Sequence, residues 1–300
     1  MGRWGYCLVI AFALALSVSA PSDAAGPGGG WGGGTTQDGA EVFLSQADLA
    51  KFTAEYLKPP KSGPWYDFAS VSVCGGHPDR PGSDNLCLRA VVLCQGNDAA
   101  QGLGPAVAVF RREVTGEGTP LPGRAGRWVQ SGITCFPELV PGAGRGLTMA
   151  MIRDAFHDTD FAVPIVNIQP EGDVTLVNLP TFFELRFPKA GFGPDEVDTP
   201  DPARLLGYHI EVRPRLKSIT YRLGTTTVGP TTSLGGPHPT GDIRATYRQP
   251  GSHRVRADIV YTGQFRVGGS QWFDIPGEVD LQGTPVTLTV REAKSRLYTR

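Results

Sequence analysis

Charged side chains are scarce in this chain of 300 residues, in which only 19% are Asp, Glu, Lys or Arg. Glycine (40) and proline (26) are abundant, which excludes a coiled coil or another protein built from long helices. The hydrophobic fraction of 40% excludes a chain that is disordered throughout. The formal net charge of −1 argues against a generally basic nucleic-acid-binding protein, so we expect no nucleic-acid partner.

The sequence also lacks the common catalytic and nucleotide-binding motifs. It contains neither His-Glu-x-x-His nor Gly-x-Ser-x-Gly. The glycine-rich segment 142–148 has no P-loop lysine, so we interpret it as a loop before a helix and expect no nucleotide. We therefore predict no catalytic residues and no cofactor. The alternative is a secreted hydrolase of wall or extracellular polysaccharide, with a carboxylate pair drawn from Glu171, Asp173 and Glu184.

Residues 1–24 are typical of a secretory signal peptide. A short positive start that includes Arg3 precedes an uncharged apolar run over residues 4–20, and small residues favour cleavage after Ala24. The alternative is an uncleaved membrane anchor. Cys7 lies inside the run and not after it, which argues against a lipid anchor. No later segment is apolar enough to span a bilayer, so we expect a secreted or envelope-associated protein that is not transmembrane after cleavage.

Four cysteines follow the signal peptide, and an even number in an exported protein predicts two disulfides. Residues 86–93 resemble a buried strand, on which Cys87 and Cys94 would lie too far apart to bond. We favour Cys74–Cys87 with Cys94–Cys135 over the crossed pairing. No Cys-x-x-Cys spacing occurs, so no metal site is predicted.

The chain is expected to contain two folded units. Residues 25–40 form a glycine-rich flexible leader, and residues 41–160 form a cysteine-containing, β-rich unit. Its predicted elements are a helix that begins near Ser45 and ends before Pro59, strands over residues 86–93, 106–114 and 128–134, and a helix over residues 147–156 capped by Thr148.

Residues 161–292 are predicted to form a β-sandwich, followed by a tail over residues 293–300. Apolar and polar residues alternate over 206–212, 219–223, 255–261 and 286–290, as on half-buried strands. Segments 163–168 and 174–185 are expected to pair as a hairpin through the turn at 170–173. Trp128 and Trp272 fall in strand patterns and are predicted to lie in the core.

The charge is distributed unevenly along the chain. Residues 25–202 carry 13 basic and 21 acidic side chains, whereas residues 203–300 carry 14 basic and 7 acidic ones. One interpretation is a solvated strand face. The other is a basic face that attracts an anionic polymer, with Arg213, Arg215, Arg254 and Arg256 as its candidate binding residues. The acidic loop 195–201 lacks EF-hand spacing, and whether it binds calcium stays open.

The second unit resembles PKD (polycystic kidney disease) domains. Residues 219–224 (ITYRLG) resemble the family's Trp-x-Phe-Gly-Asp-Gly strand and turn, and Ala245-Thr246-Tyr247 with Pro250-Gly251 and the strand over 254–260 resembles its His-x-Tyr, Pro-Gly and next strand. Thr225-Thr226 and Ala245 depart from the pattern. The resemblance covers about residues 165–290, and the overall layout is similar to secreted actinobacterial PKD-domain proteins that are sometimes labelled "ATP/GTP-binding".

The resemblance implies an immunoglobulin-like sandwich that serves as an extracellular binding or spacer module. We therefore expect a secreted, non-catalytic protein of the cell envelope or the extracellular space, which contacts an envelope protein or an anionic wall polysaccharide. A purely structural spacer is a third possibility.

Overall fold

The computed structural model of the protein describes residues 33–36, 39–57, 64–80, 86–142 and 146–294. The predicted signal peptide, most of the glycine-rich leader and residues 295–300 lie outside the described residues. Within the described ranges, no helix has the length and apolar character needed to cross a membrane.

The described residues form a mainly β protein, as the sequence predicts. Its three α-helices are α1 (Gln46–Leu57), α2 (Leu88–Val92) and α3 (Met149–His157). Its strands are β1 (Gly33–Thr36), β2 (Gly39–Val42), β3 (Trp65–Ser72), β4 (Val107–Val114), β5 (Val129–Thr134), β6 (Ile165–Gln169), β7 (Val174–Leu176), β8 (Pro180–Arg186), β9 (Ile210–Leu223), β10 (Thr226–Thr231), β11 (Arg244–Thr246), β12 (Gly251–Val267), β13 (Phe273–Leu281) and β14 (Val286–Arg291).

The amino-terminal half is built on the antiparallel sheet β3–β4–β5, against which α1 packs. Ser45 and Asp48 form a reciprocal cap at the start of α1, because Ser45 N donates to Asp48 Oδ2 (3.1 Å) and Asp48 N to Ser45 Oγ (3.3 Å). The helix buries Leu49 and stacks Phe52 on Phe68 of β3 at 5.2 Å. The predicted helix and the strands at β4 and β5 are confirmed, whereas β3 was not predicted.

The leader region contains more structure than its composition predicts. β1 and β2 pair as an antiparallel hairpin, with Gly33 opposite Val42. Phe43, which follows β2, then bridges Ile133 of β5, and Leu44 N donates to Ile133 O at 2.7 Å. The chain is thereby attached to the first sheet before α1 begins.

The predicted strand over residues 86–93 is wrong, because these residues form the short helix α2. A brief apolar run fits either element, and here β4 supplies the strand beside it. The disulfide pairing Cys74–Cys87 and Cys94–Cys135 is the one that the sequence favours. Cys94 and Cys135 are almost fully buried, and a Cβ on Gly104 would lie 2.8 Å from Cys94 Sγ, so the chain packs tightly against this bond.

Helix α3 forms as predicted and connects the two halves. Thr148 caps it, since its side-chain oxygen accepts from Met151 N at 3.2 Å. Phe156 of α3 lies against Gly263 of β12, where a Cβ would come within 2.8 Å of the ring. Helix α3 therefore belongs to the core of residues 161–292, although the sequence places it before that unit.

The carboxy-terminal half is organised around β12, the longest strand. One edge of β12 pairs with β9 from Val255 to Val267. The other edge pairs first with β14 and then with β13. Strands β10 and β7 complete this six-stranded sheet. The buried side chains of β12 alternate as the sequence predicts, through Val255, Ala257, Ile259 and Tyr261.

The two strands predicted over 206–212 and 219–223 are one strand, β9. Leu206 lies in a left-handed turn before β9, and the strand begins only at Ile210. The inward positions change from even to odd numbers because the pairing with β12 shifts around Lys217, where Ser218 opposes Val260 and Leu216 opposes Tyr261. This is a β-bulge, whose extra residue reverses the alternation without ending the strand.

A second sheet, β11–β8–β6, supplies the other layer of the core. Val166 and Ile168 of β6 and Phe183 and Leu185 of β8 belong to the same buried cluster as the inward side chains of β9 and β12. The predicted hairpin is wrong in one respect, since β6 pairs with β8 while β7 joins β14 in the six-stranded sheet. Residues 174–185 therefore pass from one sheet to the other.

Candidate anion-binding face

The outward surface of β9 and β12 carries the charged residues that alternate with the buried core. Directly opposite residues share a face, so the cross-strand register fixes which charges meet. Glu211 is opposite Arg266, Arg213 is opposite Gln264, and Arg222 is opposite Arg256. This surface, which we call the outer face, contains all four arginines of the candidate binding site and separates them into two groups.

At one end of the outer face, Arg213 is held by neighbours on β12 and by the start of β13. Its Nη2 donates to Gln264 Oε1 at 2.8 Å, and Gln264 Nε2 donates to Asp274 Oδ1 at 2.8 Å. The guanidinium carbons of Arg213 and Arg266 lie 4.2 and 4.6 Å from the ring centroid of Trp272. Trp272 is half-buried on the outer face, so its predicted place in the core is wrong.

Trp128 is likewise half-buried and not a core residue. Its ring centroid lies 4.2 Å from the guanidinium carbon of Arg112, and the side chain packs on a small cluster that includes Phe110. Both tryptophans thus cover sheet surface beneath an arginine, which a strand pattern alone does not reveal.

The middle of the outer face is neutralised by ion pairs. Arg215 pairs with Asp195 from the acidic loop, and Lys217 at the bulge pairs with Glu278 of β13. At the Trp272 end, Arg266 likewise donates to both carboxylate oxygens of Glu211, at 2.5 and 3.2 Å. These cations are already paired within the chain, so little net positive charge remains here for a ligand.

At the other end, two arginines share one carboxylate, and a third arginine lies beside them on the same face. Arg222 Nε donates to Asp258 Oδ2 at 2.7 Å, and Arg256 Nε lies 2.9 Å from Asp258 Oδ1. Arg254 is exposed, and no carboxylate pairs with it among the residues that the structure describes. Arg222, Arg254 and Arg256, which we call the arginine cluster, therefore carry more positive charge than Asp258 can offset.

Hydroxyl groups border the arginine cluster on both sides. Thr227 of β10 is opposite Arg222, and Thr287 of β14 is opposite Arg254; both threonines are exposed. Guanidinium groups can bind phosphate or carboxylate through paired hydrogen bonds, and neighbouring hydroxyls add further donors. Chemically, this end of the sheet is suited to an anion.

The candidate arginines do not form one contact site. Arg213 and Arg215 lie beside Gln264 and Thr262, whereas Arg256 lies eight residues from Gln264 along β12, roughly 26 Å away. Arg222 was not among the predicted residues, although its place between the inward-facing Tyr221 and Leu223 would have assigned it to the outer face. Its partner Arg256 could be identified only from the strand pairing.

Among the carboxylates considered for a hydrolase, Glu184 has partners within the chain. Arg186 and Asn167 hydrogen-bond to Glu184 and hold its pKa below the ordinary value. The hydrogen bond from Arg266 likewise lowers the pKa of Glu211. A glycosidase acid needs the opposite shift, in which burial raises the pKa.

The acidic loop also distributes its side chains among different partners. Asp195 pairs with Arg215, Asp198 accepts from Thr159 Oγ1 at 3.0 Å, and Asp201 accepts from Ala203 N at 2.9 Å. Within the described part of the chain, no three His, Cys, Asp or Glu side chains are grouped as metal ligands would be.

Comparison of the chain with protein-family models, with curated proteins and with solved structures gave no match.

Proposed function

We propose that the protein is an exported, non-catalytic binding module that attaches to an anionic polysaccharide of the cell envelope through the arginine cluster. One observation carries the proposal: Arg222 and Arg256 lie directly opposite each other, and one carboxylate serves both while Arg254 adds a further charge. Like charges directly opposite on neighbouring strands destabilise a sheet. An anionic ligand would relieve that repulsion.

The proposed fold of this module is an immunoglobulin-like, PKD-like sandwich. Two sheets that contribute to one core support it. So does the segment that resembles the family, because Gly224 ends β9 in a tight turn with φ +76°. A Cβ on Gly224 would lie 2.8 Å from His253 Nδ1, so this position requires the glycine that the family pattern also has.

Export is proposed from the predicted signal peptide and from the two disulfides, which persist in oxidising compartments. A polymer is favoured over a compact ligand because the arginine cluster lies on two strands, β9 and β12, and its bordering threonines extend the surface to β10 and β14. An extended chain with regularly spaced charges can contact several arginines of this surface together.

The proposal is tested by binding of the mature protein, residues 25–300, to immobilised poly(glycerol phosphate) and to alginate, with neutral dextran as the polymer control. We expect binding to the anionic polymers and not to dextran. Arg254→Ala with Arg256→Ala should weaken binding by about tenfold or more, because charge-assisted hydrogen bonds are lost.

The matched control is Arg127→Ala, which removes an exposed arginine from the amino-terminal half. It should leave the affinity within about twofold, since surface charges far from a site contribute little. Equal losses in both variants, or equal binding to dextran, would show that the arginine cluster is not the binding site.

A further inference from the structure

Asp258 is the carboxylate that pairs with the arginine cluster. Arg254, Arg256 and Asp258 alternate with buried residues along the outward side of β12, and Arg222 lies opposite Arg256 on β9. The Asp258 side chain is 19% exposed, whereas the side chains of Arg222 and Arg256 are 52% and 32% exposed. The carboxylate is therefore more enclosed than the two cations, which a ligand can reach from the solvent.

The two contacts of Asp258 differ in quality. Arg222 Nε donates to Asp258 Oδ2 at 2.7 Å. Arg256 Nε lies 2.9 Å from Asp258 Oδ1, yet both atoms are enclosed and neither has a hydrogen-bond partner within the described residues. Arg256 Nη2 reaches Asp258 Oδ2 only at 3.4 Å. Since an enclosed charged group without a hydrogen bond is costly, Arg256 would gain from an anion placed better than Asp258.

We infer that Asp258 is an internal counter-ion of the arginine cluster, which competes with an anionic ligand and limits its affinity. The inference rests on the function proposed above and concerns the same site. A carboxylate tethered beside two guanidinium groups competes at a high effective concentration. It therefore weakens the binding of any anion that needs Arg222 and Arg256.

The test is Asp258→Asn, which removes the charge and keeps nearly the same shape. Binding of the mature protein, residues 25–300, is measured with poly(glycerol phosphate) and with diethyl phosphate, a single phosphodiester. We expect the variant to bind both probes at least about fivefold more tightly, and by similar factors, because each must displace the same carboxylate.

A second measurement separates this role from a merely structural one. Asp258→Asn should also lower the melting temperature at low salt, because Arg222 and Arg256 then lie opposite each other without their shared counter-ion. The account thus predicts tighter binding together with lower stability. A residue that only holds the arginines in place would lose both when it is changed, so weaker binding by Asp258→Asn would overturn the inference.

Glu278→Gln is the matched control, because it removes a carboxylate that pairs with Lys217 elsewhere on the outer face. It should change the affinity by less than about twofold, since screened charges away from the site contribute little. Asp258→Glu keeps the charge and should bind much like the wild type. Equal tightening by Asp258→Asn and Glu278→Gln would show a general effect of net charge and would overturn the inference.

The wild type alone decides the question if Asp258→Asn fails to fold. Addition of diethyl phosphate should then change the carbon chemical shift of the Asp258 carboxylate and leave that of Glu278 unchanged, and no change at Asp258 would contradict the inference. A wild type that does not bind poly(glycerol phosphate) would contradict the proposed function itself. Wild-type binding without tightening in Asp258→Asn would contradict only the role of Asp258.

Discussion

The two halves of the molecule are stabilised in different ways. In the described residues, one buried cluster of 28 side chains joins the carboxy-terminal half to α3, Leu147 and Val91, whereas the rest of the amino-terminal half has separate clusters of seven, four and three. Both disulfides lie in the half with the small clusters. Covalent links therefore compensate for limited burial in one half, while the large core of the other half leaves its outer face free to carry charge.

The largest effect is expected from removing the buried disulfide with Cys94→Ala and Cys135→Ala. The bond closes a loop of 41 residues, so the loss should be about 4 kcal/mol in the free energy of unfolding. Denaturant unfolding measures it. Removing Cys74–Cys87, which closes only 13 residues, should cost less, about 3 kcal/mol. If neither pair stabilises the protein, the contrast between the halves fails.

A smaller loss is expected at the contact between α3 and β12. Gly263→Val would place a side chain against the Phe156 ring and should lower the free energy of unfolding by about 1–3 kcal/mol. Thr262→Val, at the next position on the outward side of the same strand, is the control and should change it by less than about 0.5 kcal/mol. An equal loss in the free energy of unfolding for both variants would show that the Phe156 ring can move aside without a cost in stability.

The arginine cluster and the ion-paired middle of the outer face should differ in ligand binding. Arg254→Ala should weaken the affinity for anionic polymer several-fold, about 1 kcal/mol. Arg215→Ala should change it much less, because Arg215 is already paired with Asp195. Side-by-side binding curves measure the difference. A larger loss at Arg215 would instead place the binding site in the middle of the outer face.

The smallest effect concerns the ion pair of Glu211 and Arg266. The pKa of Glu211 is lowered in the folded protein, so the pair stabilises the fold above the unfolded-state pKa, and this contribution is lost as the pH falls through the lower folded-state pKa. Glu211→Gln should therefore be slightly less stable than the wild type at neutral pH and equal to it in strong acid. Paired thermal melts over pH check this, and a difference that grows in acid would contradict the sign.

Local signals in the sequence predicted much of this architecture. The alternation in β12 and the cap of α3 at Thr148 depend on neighbouring residues only, and both are confirmed. At the β-bulge near Lys217 the sequence pattern predicts two strands. A bulge reverses the alternation of buried and exposed residues, and a new strand would produce the same reversal. The short apolar run at α2 fits a strand or a helix equally well.

The candidate sites were less predictable because they depend on long-range pairing. Arg222 and Arg256 meet only through the register of β9 and β12, and Trp272 reaches its arginines across the same sheet. Sequence patterns identify which face a residue occupies, but the pairing of distant strands decides which charges become neighbours.

The central claim is that the arginine cluster supplies the positive charge that binds an anionic polymer. Its most direct test is the salt dependence of poly(glycerol phosphate) binding for the wild type and for a variant with alanine at Arg222, Arg254 and Arg256. Each neutralised polymer charge releases counterions, so the slope of log affinity against log salt reports how many cations take part. We predict a clearly shallower slope for the variant, and an unchanged slope would contradict the account.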